Sequence, residues 1–406
     1  MLNKKDLFKR ANMNHSDIFV VSAVRSAIGS FGGSLKDVPP IQLATDVCRA
    51  AIERSGLAPE HIGHAVMGHV IPTEARDAYI SRVVAMNAGL TKETPAFNVN
   101  RLCGSGLQAI VSATQSLMLG DAGAALAGGV ESMSRGAYLL PQARWGARMG
   151  DMQAVDYMLG ALQDPFAGFH MGITAENIAE HYGITRQAQD ELALLSQQRA
   201  ARAIAEGRFS GQIVPIEVAT RKGTVSFATD EHVRAEVNVE QLSRMKPAFK
   251  KDGTVTAGNA SGLNDGAGAL IMATGQTVQE QGLKPMARLV GYAHAGVEPS
   301  MMGLGPIPAT RLVLKRAGLT VADLDVIESN EAFAAQACAV AQELGFDPQK
   351  VNPNGSGISL GHPVGATGAI IATKAIHELH RCQGRYALAT MCIGGGQGIA
   401  VLFERV

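Results

Sequence analysis

The sequence carries the same succession of strand-like and helix-like segments twice. Short runs of apolar and β-branched residues alternate with longer amphipathic runs over residues 18–130, and the alternation begins again at residue 287. The similarity extends to individual residues, because 53–62 and 315–324 share an Arg-x-Gly-Leu pattern ahead of a strand-like run. Such alternation is typical of a mainly parallel sheet covered by helices, so we expect two related α/β halves.

The elements predicted from these patterns follow the same order in both halves. In the first half, strands are predicted at 18–24, 65–70, 96–100 and 124–130, and helices at 41–54, 78–88 and 106–119. In the second half, strands are predicted at 287–292, 326–329, 351–354, 386–392 and 399–404, and helices at 309–316, 332–344 and 366–380.

Residues 133–263 interrupt the repeat. They contain helical patterns at 174–181 and 186–205, separated by irregular polar segments. We therefore predict an extension at 1–16, a first half made of 17–132 with 264–285, an inserted loop domain at 133–263, and a second half at 286–406. Basic residues at 244–251 could contact a ligand or form a solvated surface turn.

Composition excludes several classes of function. The formal charge is zero, from 36 basic and 36 acidic residues, so no overall field favours nucleic acid or a membrane surface. The absence of a Cys-x-x-Cys pair argues against a disulfide framework or a structural zinc site and favours a reducing cytoplasm. The cysteines are five and widely scattered, at Cys48, Cys103, Cys338, Cys382 and Cys392. Neither a secretory signal nor a membrane span is expected.

In each half, one glycine-rich turn precedes the third predicted helix. One reads Leu-Cys103-Gly-Ser-Gly and the other Gly-His362-Pro-Val-Gly-Ala-Thr-Gly. Pockets in open α/β sheets form at the carboxyl ends of strands, so the repeat is expected to bring both turns to one place. A helix N-terminus favours the thiolate of Cys103, and His362 is its natural base, although a lone cysteine there can also be structural.

Two further strand ends carry residues with chemical potential. Cys392 precedes three glycines and could remove a proton from carbon next to a thioester; a phosphate-binding loop is disfavoured because the Walker lysine is missing. Asn330 could orient a water or a histidine, or could cap a helix. We interpret Glu331 as a charge in the first turn of the following helix rather than as a general base.

Taken together, these motifs resemble those of the thiolases. Asn-Arg-Leu-Cys-Gly-Ser-Gly, Asn-Glu-Ala-Phe, Gly-His-Pro-x-Gly-Ala-Thr-Gly and Cys-Ile-Gly-Gly-Gly-Gln-Gly occur in this order, and the chain is similar to the biosynthetic acetyl-CoA acetyltransferase and β-ketothiolase branch. The resemblance implies a thiolase-like α/β fold. Two βαβαβαββ halves would form a layered α/β/α/β/α core that carries an inserted loop domain.

The resemblance also implies a ping-pong reaction on coenzyme A thioesters. Cys103, activated by His362, would be acylated, and Cys392 would deprotonate acetyl-CoA for a Claisen condensation. One oxyanion hole would combine His362 with a water held by Asn330, and the other would use the amides of Cys103 and Gly394. Acyl-chain length stays open.

Further implied positions concern binding and assembly. The positions implied to contact acyl-CoA and acetyl-CoA are Leu162, His170, Met171, Arg234, Ala248, Phe249, Ser261, Leu263, Met302, Ala332 and Phe333, with Met302 at the acyl end. Residues 133–150, including Arg135, Trp145 and Arg148, would form a tetramerisation loop. We expect a cytoplasmic homotetramer without a cofactor or metal, which binds neither nucleic acid nor membrane.

Three other classes of protein fit these residues less well. A ketoacyl synthase-like condensing enzyme would need a second histidine where Cys392 stands. An inactive CoA-binding scaffold does not need Cys103, His362 and Cys392 together. A cysteine hydrolase has no use for a second thiol.

Overall fold

The computed structural model describes residues 17–406, so the predicted extension at 1–16 lies outside the described residues. The strands are β1 (Ile18–Ser26), β2 (Gly29–Ser30), β3 (His64–Gly68), β4 (Ala96–Val99), β5 (Ala124–Ser132), β6 (Tyr138–Leu139), β7 (Val155–Asp156), β8 (Ile213–Val214), β9 (Ile216–Thr220), β10 (Gly223–Phe227), β11 (Asn264–Thr274), β12 (Ala287–Gly296), β13 (Val326–Ser329), β14 (Tyr386–Ile393) and β15 (Gln397–Arg405). The helices are α1 (Pro40–Ser55), α2 (Ile80–Asn87), α3 (Ser105–Leu119), α4 (Tyr157–Ala161), α5 (Met171–Tyr182), α6 (Arg186–Ala205), α7 (Val239–Ser243), α8 (Gly275–Glu280), α9 (Pro306–Ala317), α10 (Ala334–Leu344), α11 (Gly357–Leu360) and α12 (Val364–Cys382).

The two halves have equivalent sheets. In the first half the strand order is β4-β3-β5-β11-β1, and in the second it is β13-β14-β15-β12. In each half one strand, β11 or β15, runs against the others. The halves join where β1 pairs with β12, through Phe19–Arg288 and Val20–Ala287. The two halves therefore repeat the same strand topology, as the repeated sequence pattern predicts.

The repeated Arg-x-Gly-Leu pattern marks the end of a helix in both halves. Gly56 follows α1 with φ 69° and Gly318 follows α9 with φ 68°. Both residues lie in the left-handed region, where glycine has no Cβ to clash. The pattern stops the helix and returns the chain toward the next strand.

The core consists of five layers. Helices α1 and α2 pack on the outer face of the first half through residues such as Val47 and Val84. Helices α3 and α12 lie between the halves, where Ile110 and Ile371 belong to one buried cluster with Met391 of β14. Helices α9 and α10 cover the outer face of the second half. Each large apolar side chain buried in these layers contributes roughly 1.5–3 kcal/mol.

One predicted element is absent as a strand. Residues 351–354 form a turn in which Val351 makes a single bridge to Ile327. Asn352, with φ 46°, turns the chain and bonds back to Ser329 through both its side-chain oxygen and nitrogen. The prediction of a strand was wrong because side-chain hydrogen bonds replace the backbone ladder there.

The segment between β5 and β11 carries α4 to α7 and is joined to the core by a buried ion pair. Arg25 binds Asp230 through two hydrogen bonds of 2.7 and 2.9 Å, and its Nε donates to Gln212. The bounds given above for the extension, the two halves and the loop domain stay a prediction. Within residues 17–406 no helix is long and apolar enough to cross a membrane.

Candidate active site

Cys103 lies on the turn between β4 and α3. The preceding Leu102 has φ 44°, a conformation that costs a residue other than glycine about 1 kcal/mol and that bends the chain sharply. The Ser105 hydroxyl fastens the turn by donating to the Leu102 carbonyl (2.6 Å) and accepting from the Arg101 amide (2.9 Å). The nucleophile candidate is thus held at a rigid, strained corner.

The surroundings of the Cys103 sulfur favour a neutral thiol. Burial raises its pKa to about 11, while the amides of Gly394 and of Cys103 itself donate to the sulfur and oppose this shift. A helix N-terminus is expected to favour the thiolate, but burial outweighs that effect at Cys103 in the free protein. Two amides that converge on the sulfur lie where a thioester oxygen would need donors.

His362 is buried on the turn between α11 and α12. Its Nδ1 lies 2.6 Å from the Thr367 hydroxyl, which in turn donates to the Pro363 carbonyl oxygen at 2.9 Å. A hydroxyl that donates to Pro363 can only accept from His362, so in this arrangement Nδ1 carries the proton and donates it to Thr367. Nε2 is left with a free lone pair, and it has no hydrogen-bond partner among the described residues. Burial lowers the pKa of His362 to about 4.

The two turns meet because α3 and α12 touch near their first residues. A Cβ on Gly106 would come within 2.5 Å of the Ala369 nitrogen, and one on Gly368 within 2.1 Å of the Leu107 nitrogen. Only glycine permits this approach of two backbones. Val364, at the start of α12, packs in one cluster with Cys103. The predicted meeting of the two helix N-termini is confirmed.

Cys392 reaches the same place from the end of β14. It is 1% exposed. Burial raises the pKa of Cys392, and the neighbouring Cys103 raises it further. The next residues pack against the Cys103 turn, since a Cβ on Gly104 would lie 2.5 Å from Ile393 Cδ1. Cys392 is therefore a neighbour of Cys103, at the same place where the start of α12 brings the His362 turn.

Asn330 is fully buried just after β13. Its backbone amide donates to the Thr390 carbonyl (3.0 Å), and neither side-chain polar atom has a partner among residues 17–406. Helix α10 has Phe333 at its N-terminal boundary, so Asn330 does not cap it. Its Oδ1 would lie 2.9 Å from a Cβ on Gly357 in α11, the helix that leads into His362. A buried amide with unused donors and acceptor is suited to hold a polar ligand.

The interpretation of Glu331 as a first-turn helix charge was wrong. The residue precedes α10 by three positions and is 2% exposed. Its carboxylate accepts from Ser196 at 2.6 Å and from Asn352 at 3.0 Å, and burial raises its pKa. Glu331 thus joins helix α6 to the strand end that carries Asn330.

Most predicted contact positions lie in the apolar clusters that contain Cys392 or Cys103. Met171, Met302, Ala332, Phe333 and Phe249 share a cluster with Cys392, whereas Leu162 and Leu263 pack in the cluster of Cys103. His170 stacks on Phe249 with ring centroids 4.6 Å apart. Ser261 donates its amide to the Ala332 carbonyl. Arg234 and Ala248 lie exposed on the surface, outside both clusters.

Sequence reasoning missed residues that support the site. Asn264 accepts the His362 amide at 2.9 Å and donates to the Gly29 carbonyl. Thr367 sets the tautomer of His362, and Glu131 accepts the Gly365 amide at 2.8 Å. Only Thr367 carried a local signal, since it lies inside the glycine-rich motif. Asn264 and Glu131 are distant in sequence, and only folding brings them to the turn.

The chain belongs to the thiolase family. Residues 18–276 match the model of the thiolase N-terminal domain and residues 283–405 match that of the thiolase C-terminal domain. Together the two matches span both halves of the fold described above.

Curated relatives agree with this assignment. The chain is 62% identical over 391 residues to the beta-ketothiolase BktB of Cupriavidus necator, an alignment that covers 96% of this chain and 99% of the relative. It is 48% identical to the acetyl-CoA acetyltransferase of the same organism, over 96% of this chain and 100% of the relative.

Solved structures show the same fold. Human mitochondrial 3-ketoacyl-CoA thiolase superposes with a TM-score of 0.94 at 44% identity, covering 96% of this chain and 99% of that one. The Bacillus anthracis acetyl-CoA acetyltransferase superposes with a TM-score of 0.94 at 46% identity, with the same coverage. The predicted thiolase-like fold and acyltransferase class are confirmed.

Proposed function

We propose that the protein is an acetyl-CoA C-acyltransferase that joins an acyl-CoA and acetyl-CoA to give a 3-ketoacyl-CoA and free coenzyme A, and that also runs the reverse thiolysis. The observation that carries the proposal is that Cys392 neighbours Cys103, that the start of α12 beside His362 packs in the cluster of Cys103, and that two amides lie at the Cys103 sulfur. One nucleophile, one base and a second thiol are the groups such an exchange needs.

The first half-reaction transfers the acyl group to Cys103. His362 Nε2 takes the thiol proton as the sulfur attacks the thioester carbonyl. The coenzyme A sulfur leaves and takes a proton from Cys392, which becomes a thiolate. The raised pKa of Cys392 makes this thiolate a strong base once formed.

The second half-reaction forms the carbon–carbon bond. The Cys392 thiolate removes a proton from the methyl group of acetyl-CoA, and the carbanion attacks the carbonyl of the acylated Cys103. The Cys103 sulfur leaves and recovers its proton from His362. Every group then has its starting proton, so the cycle closes.

Two donor sets support these steps. The amides of Cys103 and Gly394 already point at the sulfur of Cys103, and the carbonyl oxygen of the attacked thioester would become an oxyanion beside it. The unpartnered side chain of Asn330 is suited to hold a water that, with His362, receives the thioester oxygen of acetyl-CoA. Each such donor is typically worth about 3–4 kcal/mol in the transition state.

The loop domain would bind coenzyme A. We assign the stacked pair His170 and Phe249, with the buried Met171, to the part of the ligand nearest the sulfur. Arg234 is exposed and is suited to a phosphate at the outer end. Met302, buried in the cluster of Cys392, would border the acyl group. No cofactor is required by this chemistry.

Assembly as a homotetramer is part of the proposal. The segment around β6 and β7 exposes a row of large apolar side chains, among them Tyr138 at 64%, Trp145 at 90% and Met149 at 90%. A surface of this kind is typical of a protein interface. Light scattering of the full chain, and of a Trp145→Ala variant, would test it.

The central experiment separates the two thiols. A Cys392→Ala variant is expected to become acylated at Cys103 by acyl-CoA but to lose both condensation and exchange of the acetyl-CoA methyl protons with D₂O. A Cys103→Ser variant should retain no acyl label. Cys382→Ala, at an exposed cysteine, is the matched control.

Two outcomes would contradict the assignments. Normal condensation by Cys392→Ala would exclude Cys392 as the base, and acyl label retained on Cys103→Ser would exclude Cys103 as the nucleophile. Thiolysis rates across 3-ketoacyl-CoA lengths would then define the chain-length preference.

A further inference from the structure

A buried ion pair lies behind the His362 turn, outside the groups assigned above. Glu131, near the end of β5, is fully buried and His69 is 8% exposed. His69 Nδ1 lies 3.2 Å from Glu131 Oε1, and its Nε2 lies 3.6 Å from Asp77 Oδ2. Charges removed from water in this way are costly unless paired, so the pair calls for an explanation beyond packing.

The Glu131 carboxylate ties two distant segments together. Its Oε2 accepts from the Gly365 amide at 2.8 Å, three residues after His362. It also accepts from the Val70 amide at 3.2 Å and, through Oε1, from the Ile71 amide at 3.0 Å. A Cβ on Gly365 would lie 2.7 Å from Oε2, so the turn is seated directly on the carboxylate. Hydrogen bonds to a charged acceptor are among the stronger ones.

We propose that Glu131, paired with His69, is a positioning residue that holds the His362 turn in place and adds its negative charge to the electrostatic field at the Cys103 sulfur. The inference rests on the proposed function, since it assigns Glu131 a part in the acylation of Cys103.

The charges of Glu131 and His69 have the signs that an electrostatic effect on Cys103 requires. Burial raises the pKa of Cys103 most, the amides of Gly394 and Cys103 lower it, and Glu131 adds a smaller increase. Burial keeps His362 and Cys392 neutral, so neither adds a charge. Burial lowers the pKa of His69, but Glu131 and Asp77 outweigh it and raise the pKa to about 10. The imidazolium therefore stands between two carboxylates at neutral pH and partly offsets the field of Glu131.

Two substitutions should move the reactivity of Cys103 in opposite directions. Glu131→Gln removes the negative charge, so the midpoint of the pH dependence of Cys103 alkylation should shift to lower pH. His69→Gln removes the positive charge and leaves Glu131 unopposed, so the midpoint should shift to higher pH. A general loosening of the structure would move both variants the same way.

The catalytic effect should be separable from substrate binding. In Glu131→Gln, the amide NH₂ faces backbone N–H donors, so the turn loses an anchor and His362 is misplaced. We expect kcat of thiolysis to fall between about tenfold and a hundredfold, with KM changed by less than about threefold. Glu131→Asp keeps the negative charge. It should recover part of kcat and a pH midpoint of Cys103 alkylation close to that of the wild type.

The experiment uses the full chain in its native assembly. Iodoacetamide alkylation of the Cys103 peptide is followed by mass spectrometry over a pH series, beside thiolysis kinetics and thermal unfolding. Glu378→Gln is the matched control, because Glu378 is also buried and ion-paired but lies at the far end of α12, about 20 Å along the helix. It should leave the alkylation midpoint unchanged.

The outcomes are distinct. Unchanged midpoints in Glu131→Gln and His69→Gln, or shifts of the same sign, would overturn the electrostatic role. A wild-type kcat in Glu131→Gln would overturn the positioning role. If Glu131→Gln does not fold, Glu131→Asp and His69→Gln still decide the question. Absence of thiolysis in the wild type would refute the proposed function, whereas the alkylation profiles would still test Glu131.

Discussion

The Thr367 hydroxyl lies 2.6 Å from His362 Nδ1 and donates its own proton to the Pro363 carbonyl. This single side chain therefore decides which nitrogen of His362 carries a proton. With Nδ1 protonated, the free lone pair of Nε2 is available to receive the proton of Cys103. The proposed role of His362 as a base thus depends on a neighbour that does not itself react.

Replacing Thr367 with valine should impair acylation while preserving the fold. Valine keeps the shape but offers no acceptor to Nδ1, so His362 can adopt the other tautomer. We expect the single-turnover rate of Cys103 acylation to fall about tenfold or more, measured by rapid-quench mass spectrometry.

Thr373→Val is its control. Thr373 is buried on the same helix, and its hydroxyl has no partner among residues 17–406. Its replacement should leave acylation unchanged and the thermal midpoint equal or higher. Equal acylation rates in Thr367→Val and the wild type would refute the tautomer argument.

Gly368→Ala should destabilise the protein strongly. The added methyl would meet the Leu107 nitrogen at 2.1 Å, and two helices would have to separate. We expect the free energy of unfolding to fall by about 1–3 kcal/mol, the usual cost of overpacking. Denaturant unfolding measures it, with Gly160→Ala as a control at a helical glycine in open space. An unaltered midpoint in Gly368→Ala would contradict the close crossing of α3 and α12.

The buried, neutral His362 should reduce stability in acid. Burial lowers its pKa from 6.5 to about 4, so between these values the unfolded chain binds a proton that the folded protein does not. The stability contribution is complete above pH 6.5 and declines as pH falls toward 4, by up to about 3 kcal/mol. His362→Gln should therefore lose less unfolding free energy than the wild type between pH 7 and pH 4. Parallel curves for the two proteins would contradict burial of an uncharged ring.

Breaking the Arg25–Asp230 pair should affect both stability and binding. Both side chains are fully buried, so Asp230→Ala leaves an uncompensated charge and should cost about 3–5 kcal/mol. Because residue 230 adjoins the segment with Arg234, KM for acyl-CoA should rise more than kcat falls. Asp46→Ala, which removes an exposed pair with Arg49, should change neither quantity measurably.

Most of the fold could be predicted because its signals are local. Apolar periodicity located β13 to the residue, and the Arg-x-Gly-Leu pattern marked the ends of α1 and α9 because a left-handed residue is needed there. The strand predicted at 351–354 failed for a non-local reason. Asn352 satisfies groups on Ser329 with its side chain, and no periodicity reports such a bond.

The sequence by itself marked the candidate reactive residues, since Cys103, His362 and Cys392 stand in glycine-rich motifs and Asn330 opens the Asn-Glu-Ala-Phe motif at a strand end. Only the tertiary structure decided the protonation states of Cys103 and His362. Burial raises the pKa of Cys103 to about 11 and lowers that of His362 to about 4, against the thiolate that a helix N-terminus alone would favour. Glu131 and Asn264 reach the His362 turn from positions far away in the sequence. Desolvation and long-range contacts exist only after the chain has closed around the site, and the order of residues does not record them.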